Sequence, residues 1–338
     1  MSSTVAAPVA GGREASPLLR FVARRLLGAV VALFVASLVI FAGTQLLPGN
    51  AASVVLGRNG NPATVELLNR QLHLDRPAWQ QYTDWIEGLA HGDLGNSAVG
   101  MAQGASSAPI WPLISDAVKN TLILAMITAL LMIPLSLGLG VLAAVRRGGW
   151  VDHAISVGSL AAIALPEFVI GSLLIGIFFV GLDWLPPVAI VAPGASPLDD
   201  PAKLVLPIAT LLLASLAAGI RMVRATMLEV LQTEYVQTAR LNGVSESRVL
   251  WRYALRNALP TSIQILAQNL QWLIGGIIIT ESVFAYPGIG STLVVAVGNR
   301  DLTLVMSVAM LIAVVYVMLN LFADLVVMRL VPKLREPA

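Results

Sequence analysis

This chain of 338 residues is 57% hydrophobic and only 12% charged, and its mean hydropathy of +0.81 excludes a water-soluble fold of this size. The net charge of +2 is small, and no nucleic-acid partner is expected. Because the chain contains no cysteine, disulfides and thiolate metal sites are excluded as well.

The apolar residues cluster in runs of about twenty, the length that a helix needs to cross a hydrocarbon core about 30 Å thick. Backbone groups without partners are costly in lipid, and the runs are too continuous for the alternating strands of a barrel. The sequence therefore predicts an all-α, polytopic membrane protein. About six transmembrane helices are expected, near residues 21–47, 121–145, 154–180, 204–220, 263–284 and 302–327.

Placing the N-terminus in the cytoplasm puts 15 of the 21 Lys and Arg residues on the cytoplasmic face, as the positive-inside rule requires. Both termini are therefore predicted to be cytoplasmic. The first run is longer than an ordinary signal-peptide core and has no small-x-small cleavage site, which favours a retained anchor over a cleaved signal peptide. Residues 1–17 are predicted as a disordered cytoplasmic tail, and residues 18–338 as one transmembrane domain.

Residues 48–120 form a predicted extracytoplasmic loop between the first and second runs. Apolar residues at helical spacing predict short amphipathic helices over 62–72 and 78–89, whereas residues 92–108 are predicted as loop. Trp79, Tyr82 and Trp85 lie in the second of these helices. Two interpretations remain open for them, because they suit either a cover over the outer mouth or an aromatic anchor in the membrane interface.

Residues 221–260 form the most polar inner region and predict a helical hairpin that projects into the cytoplasm. Leu228, Leu231, Tyr235 and Ala239 supply an apolar stripe on the first helix. Asn242 and Gly243 predict its end, and Ser245 is a candidate N-cap for a second helix that runs to about residue 257.

The fifth apolar run carries four uncharged polar residues on one predicted helix face: Thr261, Gln264, Gln268 and Gln271. Such a stripe suits either hydrogen bonds to a neighbouring helix or the wall of a water-filled path, and we favour the path. Carboxylates within membrane segments suggest function by default. Glu167 is the candidate path residue among them, whereas structural pairing is expected for Glu281 and Asp324, which lie towards segment ends.

The sequence offers no catalytic constellation. No Gly-Lys dipeptide occurs, so the chain has no P-loop and is not expected to bind ATP in that manner. His73, His91 and His153 are too scattered for a confident metal site. The chain is therefore expected to be non-catalytic, with no metal and no cofactor of its own.

Several separated motifs, spread between Leu19 and Arg335, resemble the B-type permeases of ATP-driven dipeptide, oligopeptide and nickel importers. They are LLPGN at 46–50, LDRP at 74–77, GDLGNS at 92–97, EYVQTARLNG at 234–243, ALRNALP at 254–260 and ESVFAYPGIG at 281–290. Their number and order make the resemblance specific.

The resemblance implies a type I importer permease fold in a prokaryotic plasma (inner) membrane. It implies that the inner hairpin couples the chain to ATPases, with Gln237, Thr238, Ala239 and Gly243 at the named positions of the family's coupling motif. Gln237 and Thr238 differ from the residues that give that motif its name, and Pro260 stands one residue early. Tyr235 and Arg240 complete the predicted coupling set.

The resemblance further implies a second homologous permease, two ATPase subunits that hold ATP and Mg²⁺, and an extracytoplasmic solute-binding protein contacted by Trp79, Tyr82 and Trp85. Di- and oligopeptides are the expected substrates, with nickel, haem or another small solute as alternatives. A secondary transporter and a non-transporting scaffold are the alternatives from other classes. A secondary transporter would often show inverted repeats, which this sequence lacks.

Overall fold

The computed structural model describes residues 17–46, 51–56 and 61–330. Apart from one isolated bridge between Asn96 and Pro109, these residues contain no β structure, which confirms the all-α prediction. The predicted tail 1–17 lies outside the described residues except for Pro17, which begins the first helix.

Fourteen α-helices follow one another along the described residues. They are α1 (Pro17–Gln45), α2 (Ala51–Leu56), α3 (Pro62–Gln71), α4 (Ala78–Ala90), α5 (Ala98–Ala102), α6 (Ile110–Val145), α7 (Trp150–Ala164), α8 (Glu167–Ile175), α9 (Ala202–Leu231), α10 (Glu234–Leu241), α11 (Glu246–Arg248), α12 (Arg256–Val283), α13 (Ile289–Gly298) and α14 (Leu302–Leu330). Two π-helical segments, Gly176–Gly181 and Val249–Leu255, continue α8 and precede α12.

Four of these helices, α1, α6, α9 and α14, are long and apolar enough to cross a membrane. The pair formed by α7 and α8 adds a fifth crossing if it counts as one span. Within the described residues, α12 contributes a shorter apolar segment, Trp272–Val283, and α13 is also apolar but short. The chain is thus a multi-pass membrane protein, and the count of six crossings and the cytoplasmic termini stay predictions.

The third apolar run was expected to form a single segment over 154–180, but it forms two helices with a bend of 108° between them. The break is at Leu165, whose φ of −99° and ψ of 132° are extended, and at Pro166, which is the N-cap of α8. Proline disfavours helical backbone in the residue before it, and it has no N–H to continue the helix. The bend therefore has a local cause in the sequence.

The outer region contains the two helices that the sequence predicts, α3 and α4. The Asn61 side chain caps α3 by accepting a hydrogen bond from the Thr64 N–H at 3.0 Å. Two differences from the sequence prediction appear beyond residue 92. Residues 98–102 of the predicted loop form α5, and α6 begins at Ile110 rather than near 121 because Ile110 is fully buried against α13 and α14.

The centre of the bundle is the close contact of α6 with α9. A Cβ built on Gly140 would lie 2.7 Å from the Val223 side chain, and one built on Gly219 would lie 2.7 Å from Ser136 Oγ. Small residues of this kind let two membrane helices approach each other. A hydrophobic core at the outer end of the bundle includes Leu206, Leu211 and Phe284.

The inner region 221–260 has no helix break at either boundary, since Arg221 lies inside α9 and Pro260 inside α12. The predicted second arm of the hairpin does not stop near residue 257. It passes through α11 and the π-helical segment into α12, so the arm is continuous with the fifth apolar run. A displacement of α10 can therefore reach the membrane helices through α9 on one side and α12 on the other.

Candidate coupling and translocation sites

The inner hairpin presents one exposed face of α10. Val236 is fully buried and Ala239 nearly so, and both pack against Val249 of the returning arm. Of the predicted coupling residues on α10, Ala239 is therefore buried, whereas Tyr235, Gln237, Thr238 and Arg240 are exposed, and the neighbouring Leu241 is 87% exposed. We call these five exposed residues the hairpin surface.

Gly243 ends α10 in the left-handed region, with φ at +75°. The Gly243 N–H donates to the Arg240 carbonyl at 3.0 Å, and the Val244 N–H donates to the Ala239 carbonyl at 3.1 Å. These two bonds are those of a Schellman motif, in which glycine avoids the strain that a Cβ would cause. The predicted helix stop at Gly243 is confirmed, and Arg240 closes the turn with an ion pair to Glu246 at 2.9 Å.

The base of the hairpin is tied to the membrane helices by contacts that the sequence did not indicate. The Asn257 amide donates to the Tyr235 hydroxyl at 3.1 Å. Further up, Arg224 of α9 makes two hydrogen bonds to Asp152 at the start of α7, at 2.7 and 2.8 Å, and Asp152 is 3% exposed. The Gly148 N–H also donates to Asp152, at 2.9 Å. The helix that leads into α10 is thereby held to the helix that leads to the break at Pro166.

The predicted polar stripe is described only in part. Thr261 is exposed, whereas the side chains of Gln264, Gln268 and Gln271 lie outside the described part of the chain. The opposite side of the helix is buried, including Leu266 and Leu273. Among the residues between 262 and 283 whose exposure the structure describes, the exposed ones are Trp272, Gly275, Ile279 and Ser282. At 100° per residue, these four positions and Thr261 fall on one arc of the helix, which also contains positions 264, 268 and 271.

Glu167 lies at the first position of α8, directly after the break. A Cβ built on Gly276 of α12 would lie 2.5 Å from Glu167 Oε1 and 2.7 Å from Oε2, so the carboxylate occupies the space that a larger residue at 276 would fill. Glu167 Oε2 is buried and has no hydrogen-bond partner among the described residues. Glu281 and Asp324, the other two acids of the membrane segments, both have partners.

Glu281 is fully buried and serves as a structural cap, as its position suggested. Its Oε2 accepts hydrogen bonds from the Gly290 and Ser291 N–H groups, at 2.8 and 3.1 Å, at the start of α13. Its Oε1 accepts from the Thr121 hydroxyl at 2.5 Å. Beside this cap, burial and the Glu281 carboxylate raise the pKa of Tyr286, whose hydroxyl donates to the Asn120 carbonyl at 2.7 Å. Asp324 is also paired, with Arg25 of α1 at 2.7 Å.

Asp301 is a buried acid that the sequence analysis missed. It accepts hydrogen bonds from Ser97 Oγ at 2.5 Å and from the Ala98 N–H at 3.0 Å, and the Ser307 hydroxyl donates to the Leu94 carbonyl at 2.7 Å nearby. These bonds fix the 92–97 motif of the outer region against the start of α14. The only sequence signal was an acid between two apolar helices, which does not identify a partner two hundred residues away.

The three outer aromatic residues do not share one environment. Trp79 is 66% exposed. By contrast, Tyr82 and Trp85 pack on Phe41 of α1, with ring centroids 5.4 and 6.4 Å away, and the Tyr82 hydroxyl lies 2.9 Å from Ser37 Oγ. Tyr82 and Trp85 thus hold α4 against α1, and Trp79 is the member of the set available to a partner.

Nothing in the described residues resembles a metal site, since no three His, Asp or Glu side chains converge. The Asp301 region borders a cavity of about 300 Å³, lined by Val99, Pro287 and Val295 among others.

Comparison with known proteins agrees with this architecture. The family model for the binding-protein-dependent transport system inner membrane component matches residues 136–336, and the model for the N-terminal part of such membrane components matches residues 18–137. The glutathione transport system permease protein GsiC of Escherichia coli (strain K12) is 33% identical over 318 residues, which cover 94% of this chain and 99% of the relative. The probable peptide ABC transporter permease protein y4tP of Sinorhizobium fredii (strain NBRC 101917 / NGR234) is 32% identical over 315 residues, which cover 93% and 99%. The chain therefore belongs to the family of binding-protein-dependent transport system inner membrane components, and it is a multi-pass permease subunit.

Proposed function

We propose that this chain forms half of the translocation path of an importer for di- and oligopeptides. A second, homologous permease supplies the other half in the plasma (inner) membrane of a prokaryote. Two ATPase subunits, which hold ATP and Mg²⁺, bind on the cytoplasmic side, and an extracytoplasmic solute-binding protein delivers the peptide. The chain itself has no catalytic role and no cofactor. Relatives named for glutathione and peptide transport support this substrate class.

The observation that carries the proposal is the hairpin surface. Its exposed residues stand on a helix whose other face is buried and whose end is fixed by Gly243. A surface that is rigidly connected to α9 and α12 can transmit movement from ATPases to the membrane helices. A loop that only touched lipid headgroups would not require this rigid turn.

Copurification is the direct test of the assembly. We expect two ATPase subunits and one second permease to copurify with this chain from detergent-solubilised membranes. Leu241→Asp places a charge on the hairpin surface and should remove the ATPases, whereas Leu26→Asn, on the exposed part of α1, should not. Retention of the ATPases by Leu241→Asp would contradict docking at this surface.

The path is assigned to the exposed arc of α12, with Thr261 near its inner end and Gln264, Gln268 and Gln271 along it. An uncharged polar stripe suits the amide groups of a peptide without trapping it by charge. Because the chain has no cysteine, single cysteines at these positions can be labelled with a membrane-impermeant thiol reagent without background from this subunit. We expect labelling that differs between nucleotide-free and ATP-trapped complexes.

Leu266→Cys is the matched control for this experiment, because Leu266 is 1% exposed on the buried side of the same helix. It should stay unlabelled in both states. Uniform protection of positions 264, 268 and 271 in every state would show that the glutamines form packing contacts instead.

Trp79 is the proposed contact with the binding protein. Tryptophan is enriched among the contact residues whose truncation costs more than about 1 kcal/mol, so Trp79→Ala should raise the Kd of the loaded binding protein by about fivefold or more. Trp150→Ala is the matched control, since Trp150 is 81% exposed near the opposite, predicted cytoplasmic end. Equal Kd values for the two variants, with both complexes folded, would assign Trp79 to membrane anchoring.

A further inference from the structure

Glu167 has surroundings that suit a positively charged ligand group. The carboxylate lies against the backbone of α12 at Gly276, and its Oε2 has no hydrogen-bond partner among the described residues. An ionisable group in a membrane segment is costly unless it faces a partner or a polar path. An ionised Glu167 would therefore be stabilised by a positively charged group close to it.

The helix break beside Glu167 adds a partial negative charge to the surroundings of the carboxylate. The helix does not continue past Ala164 to bond the last carbonyls of α7, because Leu165 is extended and Pro166 has no N–H. The carboxyl end of a helix carries a partial negative charge. The start of α8 meanwhile favours the ionised form of Glu167. The Glu167 carboxylate and the last carbonyls of α7 are hydrogen-bond acceptors on either side of the break, and both attract a cation.

Gly276 is itself buried, but it lies next to the exposed arc of α12 that is assigned to the path. Gly275 and Phe168 are exposed next to it, and Phe168 is 53% exposed. Trp272 lies one helical turn before Gly276 and is 82% exposed, so an aromatic ring is available on the same side. Aromatic faces also attract ammonium groups.

We propose that Glu167 binds the α-ammonium group of the peptide as it passes through the membrane, with the carbonyls at the end of α7 as additional acceptors. This inference rests on the proposed peptide-import function. It names the carboxylate as the charged recognition residue of a path that is otherwise lined by uncharged polar groups. One carboxylate on the path orients the amino terminus and leaves the rest of the peptide free to vary.

Carbodiimide coupling tests the contact directly, because it joins a carboxylate to an adjacent amine as an amide. The complete complex, with both permeases, the ATPases and the peptide-loaded binding protein, is trapped with ATP and vanadate and treated with a membrane-permeant carbodiimide. Mass spectrometry should find the peptide's α-amine linked to Glu167 and not to Glu281, which is fully buried. An adduct between Glu167 and a lysine of the second permease would overturn the inference in favour of an intersubunit ion pair.

Transport kinetics supply a second, independent readout. Loss of one charge-assisted hydrogen bond predicts that Glu167→Gln raises the KM for peptide uptake by about tenfold or more. Glu167→Asp should retain part of the affinity, and Asp116→Asn, at an exposed acid of α6, should leave KM unchanged. An unchanged KM in Glu167→Gln would overturn the inference. Absence of peptide uptake by the unmodified complex would instead overturn the proposed substrate, so the two failures are distinguishable.

Discussion

Gly288→Ala is expected to destabilise the outer end of the bundle severely. A Cβ on Gly288 would overlap the Glu281 carboxylate, which is fully buried. Displacing that carboxylate breaks its bonds to Thr121, Gly290 and Ser291. Hydrogen bonds to charged groups contribute about 1.5–3 kcal/mol each, so a loss of stability of about 3 kcal/mol or more is expected. The measurement is the yield and thermal unfolding temperature of the purified protein in detergent.

Gly298→Ala is the control for this prediction, since no heavy atom lies within 4 Å of a Cβ built there. It adds the same methyl group in a neighbouring apolar helix, and alanine favours helix. It should therefore leave the unfolding temperature unchanged or slightly raised. Equal unfolding temperatures for Gly288→Ala and Gly298→Ala would contradict the capping role of Glu281.

Gly243→Val is expected to abolish coupling while leaving the membrane helices inserted. The φ of +75° at Gly243 is unfavourable for a β-branched residue, at a cost of about 1–3 kcal/mol. No atom lies within 4 Å of the added Cβ, so the effect is backbone strain and not a clash. The turn should reopen and displace the hairpin surface. We expect peptide uptake and substrate-stimulated ATP hydrolysis to fall at least tenfold in the reconstituted complex.

Gly243→Asn is the matched control, because asparagine tolerates the left-handed region better than other residues that have a Cβ. It should retain most of the uptake at a similar expression level. If Gly243→Val retained normal uptake and normal substrate-stimulated hydrolysis, the turn at Gly243 would have no role in coupling.

Local patterns in the sequence predicted the elements whose cause is local. Periodic apolar residues were sufficient to predict α3 and α4, and the glycine after Asn242 was sufficient to predict the end of α10. Each of these features depends on neighbours within one or two helical turns. The bend at Pro166 also has a local cause, yet the surrounding run is apolar enough to conceal it.

Contacts between distant residues were not predictable in the same way. Asp152 and Arg224 are 72 residues apart, and Ser97 and Asp301 are 204 apart. Each acid looks like an ordinary polar residue near the end of a segment until its partner is known. The early start of α6 has the same origin, since Ile110 is helical where it packs on α13 and α14. Glu167 was recognised from its place in a membrane segment, but its position against Gly276 required the fold.

Uptake of labelled peptide into proteoliposomes tests the central claim most directly. The complete complex is reconstituted with ATP enclosed on the ATPase side and the peptide-loaded binding protein on the other. The account predicts uptake that requires both ATP and the binding protein, with no uptake when a proton gradient replaces ATP. Uptake by this chain that is driven by a proton gradient, without ATPases or binding protein, would contradict the account and identify a secondary transporter.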